Sequence, residues 1–386
     1  MSSVDHADAI VIGAGIAGAS MAAALAASCR VLLLERETQP GYHTTGRSAA
    51  LFTETYGNAV KRALSHASKP SLQRPPEGFA AVPLLTPRGT LLAATESQLA
   101  KLRQTADDCA GLVGNLQWLT ADEVRARVPC FREEQIAAGL LEPDAMDIDV
   151  HALHHGYVRQ LAARGGRLVT HAEVRSLQYA AGAWRVSTAA GEFRAEQVVN
   201  AAGAWADDVG RLAGARPIGL VPKRRTAITF DPPPGTTSSA WPAVIDIDEQ
   251  WYFKPEAGRL MASPADETPS PPCDAQPDEY DIAVLVDRLS RATTLQVPRI
   301  VSRWAGLRSF VADKLLVAGF DTQVPGFFWL AGQGGHGIQT APAVSRLAAA
   351  LFTGGPVPPE LLDLGIDATT LAPDRETLAS ADRFRC

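Results

Sequence analysis

The chain has 386 residues, a formal net charge of −6, 46% hydrophobic residues and 20% charged residues. That usage is ordinary for a globular protein and excludes a disordered chain, a coiled coil and a collagen-like fibre. At about 150 residues per domain the length predicts two to three domains, and the mild acidity offers no basic face for nucleic acid.

Five cysteines, Cys29, Cys109, Cys130, Cys273 and Cys386, stand far apart with no C-x-x-C pair. They predict neither a zinc or redox pair nor a dense disulfide framework, and they point to a reducing, cytoplasmic setting. No metal site is expected. Residues 9–29 carry no charge, a run long enough to suggest a membrane span. Gly13, Gly15 and Gly18 interrupt it, and Asp5, His6 and Asp8 precede it where a secretory signal would be basic. The run therefore reads as a buried strand followed by a helix, with no transmembrane segment.

Residues 7–12 are a short β-branched strand, followed by Gly13-Ala14-Gly15-Ile16-Ala17-Gly18 and by helix formers over 19–27. Residues 30–34 are a second apolar strand, ending at Glu35. This is the strand, G-x-G-x-x-G, helix, strand, acid order of a dinucleotide-binding βαβ unit. The first glycine makes the tight turn, the second admits a pyrophosphate, and the third lets helix and strand pack closely. The helix N-terminus then meets the phosphates with free N–H groups. Glu35 is placed to accept ribose hydroxyls, and an acid there disfavours a 2′-phosphate and hence NADP. The fingerprint does not separate NAD from FAD. Residues 41–50 (G-Y-H-T-T-G-R-S-A-A) are a polar loop that opens an Ala-rich start of a helix instead of a further βα repeat, and such a loop can follow a long cofactor past its pyrophosphate toward a flavin ring.

Residues 80–140 are mixed, with helices predicted over 97–109 and 120–127. From Gly165 the segments 167–170, 174–179, 184–188 and 192–195 alternate in polarity and read as a β-meander. Residues 197–200 form another apolar strand that runs into Ala201, Ala202 and Gly203, small enough for close backbone approach to a cofactor. Residues 215–320 are punctuated by proline and read as an antiparallel sheet with long loops, including a strand at 251–254. An aromatic strand at 326–331 enters the glycine loop 332–337, and a helix continues from 341 to 352. The fold class is α/β, a Rossmann-like nucleotide-binding domain of discontinuous segments plus a domain with an antiparallel β-sheet.

The ordered blocks are the fingerprint, L-E-R-E at 34–37 through Ala50, N-A-A-G-A-W at 200–205, P-K-R-R at 222–225, W-A-G-L-R-S-F-V-A-D at 304–313 and G-Q-G-G-H-G-I-Q-T at 332–340. Together they make the chain resemble the FAD-dependent D-amino acid oxidase (DAO) superfamily over almost its whole length, and within it the bacterial D-amino acid dehydrogenases of the D-arginine dehydrogenase type. The resemblance implies an FAD domain from residues 1–85, 141–210 and 305–386, and a substrate domain from 86–140 and 211–304. It implies non-covalent FAD, since no cysteine falls in the blocks. Around the cofactor it places Gly13, Gly15, Ile16, Ala17, Gly18, Glu35 and Arg36, then Thr44, Thr45, Gly46, Arg47, Ser48, Ala49 and Ala50. Glu173, Val174, Asn200, Ala201, Ala202, Gly203 and Trp205 follow, then Gly306, Arg308, Gly332, Gly334, Gly335, His336, Gly337, Ile338 and Gln339.

The resemblance also assigns roles. Arg225 and Arg308 form a fork for a substrate carboxylate, a task suited to the planar donors of arginine. Tyr252 adds a phenol hydrogen bond, Tyr56 and Thr53 ride a mobile loop that closes over the substrate, and Gly335 and Gln339 lie near the amine and the flavin. A D-amino acid would lose hydride from Cα to flavin N5, and the imine would hydrolyse to a 2-oxo acid and ammonia. The amine must be deprotonated, so activity should rise with pH, and no strong base stands out. Electrons would pass to a quinone or another acceptor. Where the D-arginine type carries a histidine and a glutamate near the substrate side chain, this chain has Leu51 and Thr90, which predicts weaker preference for basic side chains. Three alternatives stay open: a glycine- or sarcosine-type amine oxidase using oxygen, a 2-hydroxy acid dehydrogenase, and a non-enzymatic flavin-binding module.

Overall fold

The computed structural model describes residues 5–379; Cys386 lies outside them. Its first sheet has parallel strands in the order Arg167–Val169, Val31–Leu34, Asp5–Ile12, Gly191–Asn200, Phe327–Ala331, with Val317–Phe320 antiparallel at the far edge. Successive side chains point to opposite faces, so Val11, Leu33, Val199 and Phe328 enter one core and Ile10, Leu34, Val198 and Trp329 another. Helices Ile16–Leu25, Val150–Ala163 and Gly337–Thr353 cover the first face. The meander and the short helix Ala206–Leu212 cover the second. With both faces covered, the parallel strands read as unbroken apolar runs.

The meander consists of Val174–Ala180, Ala183–Thr188 and the first half of Gly191–Asn200. Residues 167–169 do not open it, contrary to the expectation from the alternation. Gly165 and Gly166 end the preceding helix and return the chain along the free edge of Val31–Leu34, where Leu168 pairs with Leu33. Unpaired backbone groups at that edge find partners there. The two strands expected at 192–195 and 197–200 are one strand: alternation holds where one face is exposed and stops at Val198, where both are buried.

The second sheet has the order Ile300–Phe310, Val221–Phe230, Arg259–Ser263, Tyr252–Glu256, Ala243–Asp246, Thr90–Ala94, Ala138–Glu142, Gln117–Thr120. It is antiparallel except where Ala243–Asp246 runs parallel to Thr90–Ala94. Helix Glu279–Ala292 packs Ile282, Leu285 and Leu289 on it. That helix lies in a region read from sequence as strands and loops, and helices Ala59–Gln73 and Val150–Ala163 were likewise unexpected. The predicted helices appear as Leu99–Cys109 and Ala121–Arg127, the latter opened by a Thr120/Glu123 capping box. The helix expected over 19–27 runs Ile16–Leu25, and the one expected from 341 starts at Gly337. Where a helix was expected to open at Ala49-Ala50, residues 51 and 52 instead pair with Asp147 and Met146 as a short strand, and the helix begins at Ala59. Cys29, Cys109, Cys130 and Cys273 are unpaired. Among the described residues no helix is long and apolar enough to cross a membrane.

Candidate active site

A cavity of about 480 Å³ opens where the C-terminal ends of the parallel strands meet the strand pair Val221–Phe230 and Ile300–Phe310. Crevices at such strand ends are where open α/β sheets bind ligands. Gly13, Gly15, Ile16, Ala17, Glu35, Arg36, Glu173 and Val174 line one end. Thr44, Thr45, Arg47, Ser48, Ala49, Ala201, Ala202, Gly203 and Trp205 continue the wall. Gly306, Arg308, Gly332, Gly334, Gly335, Gly337 and Ile338 line the other end, with Arg225 and Tyr252.

The fingerprint has the close packing that its glycines require. Gly13 sits at φ +97°, and a Cβ there would meet the Ala201 carbonyl oxygen at 2.6 Å. A Cβ on Gly18 would lie 1.8 Å from the Gly13 carbonyl oxygen, so Gly18 serves helix packing and does not reach the cavity. Helix Ile16–Leu25 has no acid in its first turn, and Gly15 at its N-cap supplies no side-chain cap. Its Ile16 N–H donates to Thr45 Oγ1 at 2.9 Å, and the rest of the positive helix end faces the cavity. The Glu35 carboxylate accepts from the Ala14 N–H at 2.9 Å and the Glu37 N–H at 3.0 Å. Two backbone donors leave lone pairs for further hydroxyl donors. Arg36 lies over the Trp205 ring at 4.9 Å and 3.5 Å from Glu173, which closes that end. This glycine cradle, open helix end and oriented carboxylate fit an extended dinucleotide such as FAD.

At the other end, strand register sets the two arginines. Arg225 pairs with Gly306 and Lys223 with Arg308 across the antiparallel strands. Residues 225, 306 and 308 therefore share a face, with Arg225 and Arg308 diagonal neighbours. Arg224 points to the opposite face and ion-pairs with Asp281 at 2.7 Å and Asp278 at 3.2 Å on helix Glu279–Ala292. Arg225 Nε donates to the Asp266 carbonyl at 2.9 Å, and its Nη2 lies 3.6 Å from Glu267. Glu267 is also bonded to Lys223 Nζ at 2.7 Å, so it is shared between two cations and the Arg225–Arg308 pair keeps a net positive charge. Burial, then the like charge of Arg308, lowers the Arg225 pKa, and an anion between the two would relieve that cost. A Cβ on Gly335 would meet Arg308 Nη1 at 2.7 Å, so the Gly335 backbone lies against the guanidinium. The lining carboxylates are Glu35, Glu173 and Asp208, none of them at the Arg225–Arg308 end among the described residues.

Other expected residues stand behind the wall. Thr53 is 3% exposed, and its Oγ1 donates to Glu142 Oε2 at 2.6 Å. Glu142 also accepts from the Glu54 N–H at 2.8 Å and from Thr55 Oγ1 at 2.8 Å. The Thr53 backbone exchanges hydrogen bonds with the Gln339 amide at 3.2 and 3.3 Å. Thr53 thus belongs to a pinned segment and not to a mobile loop, and the Gln339 side chain faces that segment and Ser65 instead of the cavity. Tyr56 stacks on His336 at 4.7 Å and 12°, with its hydroxyl donating to Glu249 at 3.1 Å. Burial raises the Tyr56 pKa. Burial, then Lys61 and Arg308, lowers that of His336 well below the usual range, so its ring is neutral. Asn200 donates to the Ala206 carbonyl at 2.8 Å and shapes the turn after its strand. Gly46 closes the 41–46 turn through its N–H to the Gly41 carbonyl at 2.8 Å, and Ala50 packs into the first core. Arg47 spends its guanidinium on the carbonyls of Ala275 and Ala305, both at 3.0 Å, and on Asp274.

Gln333, Glu142 and His154 are not among the residues expected from the sequence. Gln333 lines the cavity and has a buried Nε2 without a partner; its place between Gly332 and Gly334 was the available signal. The carboxylate of Glu142 and the imidazole of His154 act on residues 87 to 140 positions away in the chain, and nothing local marks them.

Residues 8–351 match the family model DAO, FAD dependent oxidoreductase. The chain is 26% identical over 371 residues to a glycine oxidase of Bacillus licheniformis, covering 92% of this chain and 95% of that protein. It is 24% identical to the mitochondrial dimethylglycine dehydrogenase of Mus musculus, covering 93% of this chain and 44% of that one. Among solved structures, glycine oxidase from Geobacillus kaustophilus superposes with a TM-score of 0.80 at 23% identity, over 91% of this chain and 96% of that one. L-alpha-glycerophosphate oxidase from Mycoplasma pneumoniae, with FAD bound, gives 0.82 at 18% identity, over 91% and 95%. The fold and the cradle agree with the family match, and the chain belongs to the DAO family of FAD dependent oxidoreductases.

Proposed function

We propose that the protein is an FAD-dependent D-amino acid dehydrogenase of the D-arginine dehydrogenase type that does not favour basic side chains. The observation that carries this reading is the Arg225–Arg308 pair, on one face of the sheet at the flavin end of the cavity, with no carboxylate lining that end among the described residues. The pair binds the substrate carboxylate, and Tyr252 adds a hydrogen bond from the next wall. Tyr56, stacked on neutral His336 beside Arg308, covers that end. Segments 1–85, 141–210 and 305–386 form the FAD domain in this reading, and 86–140 and 211–304 the substrate domain. Bound FAD supplies the hydride acceptor that turns the amine into an imine, which water hydrolyses to a 2-oxo acid and ammonia. The chain's own contribution is orientation and a fixed positive field for the carboxylate. Among the described residues no lining carboxylate or imidazole stands at that end to act as base, so the substrate must enter with a neutral amine and activity rises with pH. Leu51 and Thr90 stand where the D-arginine type carries its histidine and glutamate, but neither lines the cavity, so the weaker preference for basic side chains rests on the resemblance. A panel of D-amino acids under anaerobic dye reduction tests the reading.

A second reading, an amine oxidase of the glycine type that uses oxygen, draws support from the similarity to proteins named glycine oxidase. Hydrogen peroxide formed in air, measured against dye reduction without air, separates it from a dehydrogenase that feeds a quinone.

A further inference from the structure

Helix Val150–Ala163 lies outside the cavity, yet one of its side chains reaches two loops that form the wall. His154 is 3% exposed, and its Nε2 lies 2.8 Å from the Ala14 carbonyl oxygen. A carbonyl only accepts, so Nε2 carries the proton and donates. The N–H of the same residue, Ala14, donates to Glu35 at 2.9 Å. Ala14 stands between Gly13 and Gly15, the two fingerprint glycines that line the cavity. The peptide groups on either side of it are thus held by a carboxylate and an imidazole.

The His154 ring also meets the second loop. A Cβ on Gly41 would come within 3.1 Å of Cε1, so the ring lies flat against the Gly41 backbone at φ +75°. Gly41 opens the turn that carries Thr45, the partner of the Ile16 N–H at the start of the fingerprint helix. His155 meets the His154 ring edge-on at 5.5 Å and 88°. One imidazole therefore spaces the phosphate loop from the 41–47 turn, by a hydrogen bond on one side and van der Waals contact on the other. A longer or shorter residue would leave the Ala14 carbonyl buried without a donor or would move the turn.

We infer that His154 is a positioning residue for the flavin nucleotide, setting the distance between the 13–18 loop and the 41–47 turn without touching the cofactor. This holds whichever substrate the enzyme takes. The experiment uses the holoprotein and reads flavin release by the rise in flavin fluorescence on dilution, beside a circular-dichroism melt of the same sample. His154→Phe keeps the ring and removes the donor, and His154→Gln returns an amide donor. H154F should release flavin about 10-fold faster, the size expected when a buried acceptor loses its donor, and its flavin-release temperature should fall further than its melting temperature. H154Q should recover most of the retention. Should H154F not fold, His154→Asn, too short to reach Ala14, takes its place with the same expectation. Release at the unaltered rate from a folded H154F or H154N protein would overturn the inference. So would equal falls in release and melting temperature, since that marks a residue of general stability only.

Discussion

Replacing Gly335 by alanine tests the carboxylate fork with little collateral damage. Gly335 is not in the left-handed region, so alanine brings no backbone strain there. The new Cβ would lie 2.7 Å from Arg308 Nη1, against 3.4 Å for ordinary contact, so about 0.7 Å must be made up. The Gly335 backbone is fixed by the start of helix Gly337–Thr353, and the yielding group is the guanidinium. A misplacement near 1 Å costs up to about 100-fold in a positioned reaction. We therefore expect kcat/KM to fall about 10- to 100-fold, with most of the change in KM. Overpacking should cost the fold only about 1–3 kcal/mol. The assay is steady-state dye reduction with the best D-amino acid, beside urea denaturation. Gly165→Ala is the control: its φ of +80° makes alanine strained, but nothing lies within 4 Å, so it should lower stability and leave KM alone. If G335A kept the parental KM while a crystal structure showed Arg308 displaced, Arg308 would not hold the carboxylate.

Further outcomes separate face from face and charge from packing. Arg225→Ala should raise KM at least about 10-fold, as loss of a charge-assisted hydrogen bond does, whereas Arg224→Ala, which strips Asp278 and Asp281 of their close partner and Asp266 of a longer contact at 3.8 Å, should lower stability and change KM far less; the reverse pattern refutes the strand parity. Glu142→Leu leaves the buried Glu54 N–H without an acceptor, while Thr53 and Thr55 can still bond each other at 3.0 Å. It should cost about 2–4 kcal/mol in urea unfolding, and a cost below that range would mean the segment carrying Tyr56 is held elsewhere. Asp313 is partly buried, which raises its pKa, but bidentate bonding to Arg375 and a bond from Thr377 prevail and hold it at about 2, below the ordinary 3.8. Its contribution is therefore complete above pH 3.8 and lost as pH falls through about 2. The stability gap between the parent and Asp313→Asn should shrink between pH 5 and pH 2.5, and a constant gap refutes the pairing.

Contiguity decided what could be read from the residues alone. The 13–18 fingerprint, Glu35 and the 332–337 loop are local patterns whose chemistry follows from spacing, and they line one cavity. The resemblance singled out Arg225, but the residues themselves do not separate it from Arg224, because only the register with Ile300–Phe310 decides which faces the cavity and which the acids of helix Glu279–Ala292. Strand Arg167–Val169 misled because its alternation is that of a meander, while its partner lies more than a hundred residues earlier. Thr53 was expected on a mobile loop because the Glu142 carboxylate that pins its loop comes from another sheet. His154 was silent for the same reason: one of three histidines on its helix, it gives no local sign of the carbonyl it reaches.

The central claim is that Arg225 and Arg308 hold a D-amino acid against the flavin. Anaerobic stopped-flow mixing of the holoprotein with matched panels of D-amino acids, L-amino acids and 2-hydroxy acids tests it most directly, with bleaching of the flavin absorbance as the signal. D-amino acids with neutral side chains should bleach the flavin rapidly, and D-arginine and D-lysine more slowly. The L-enantiomers and hydroxy acids should give little or none. Fastest bleaching by D-arginine or D-lysine would contradict the assigned side-chain preference, and fastest bleaching by an L-amino acid or a 2-hydroxy acid would contradict the proposed function itself.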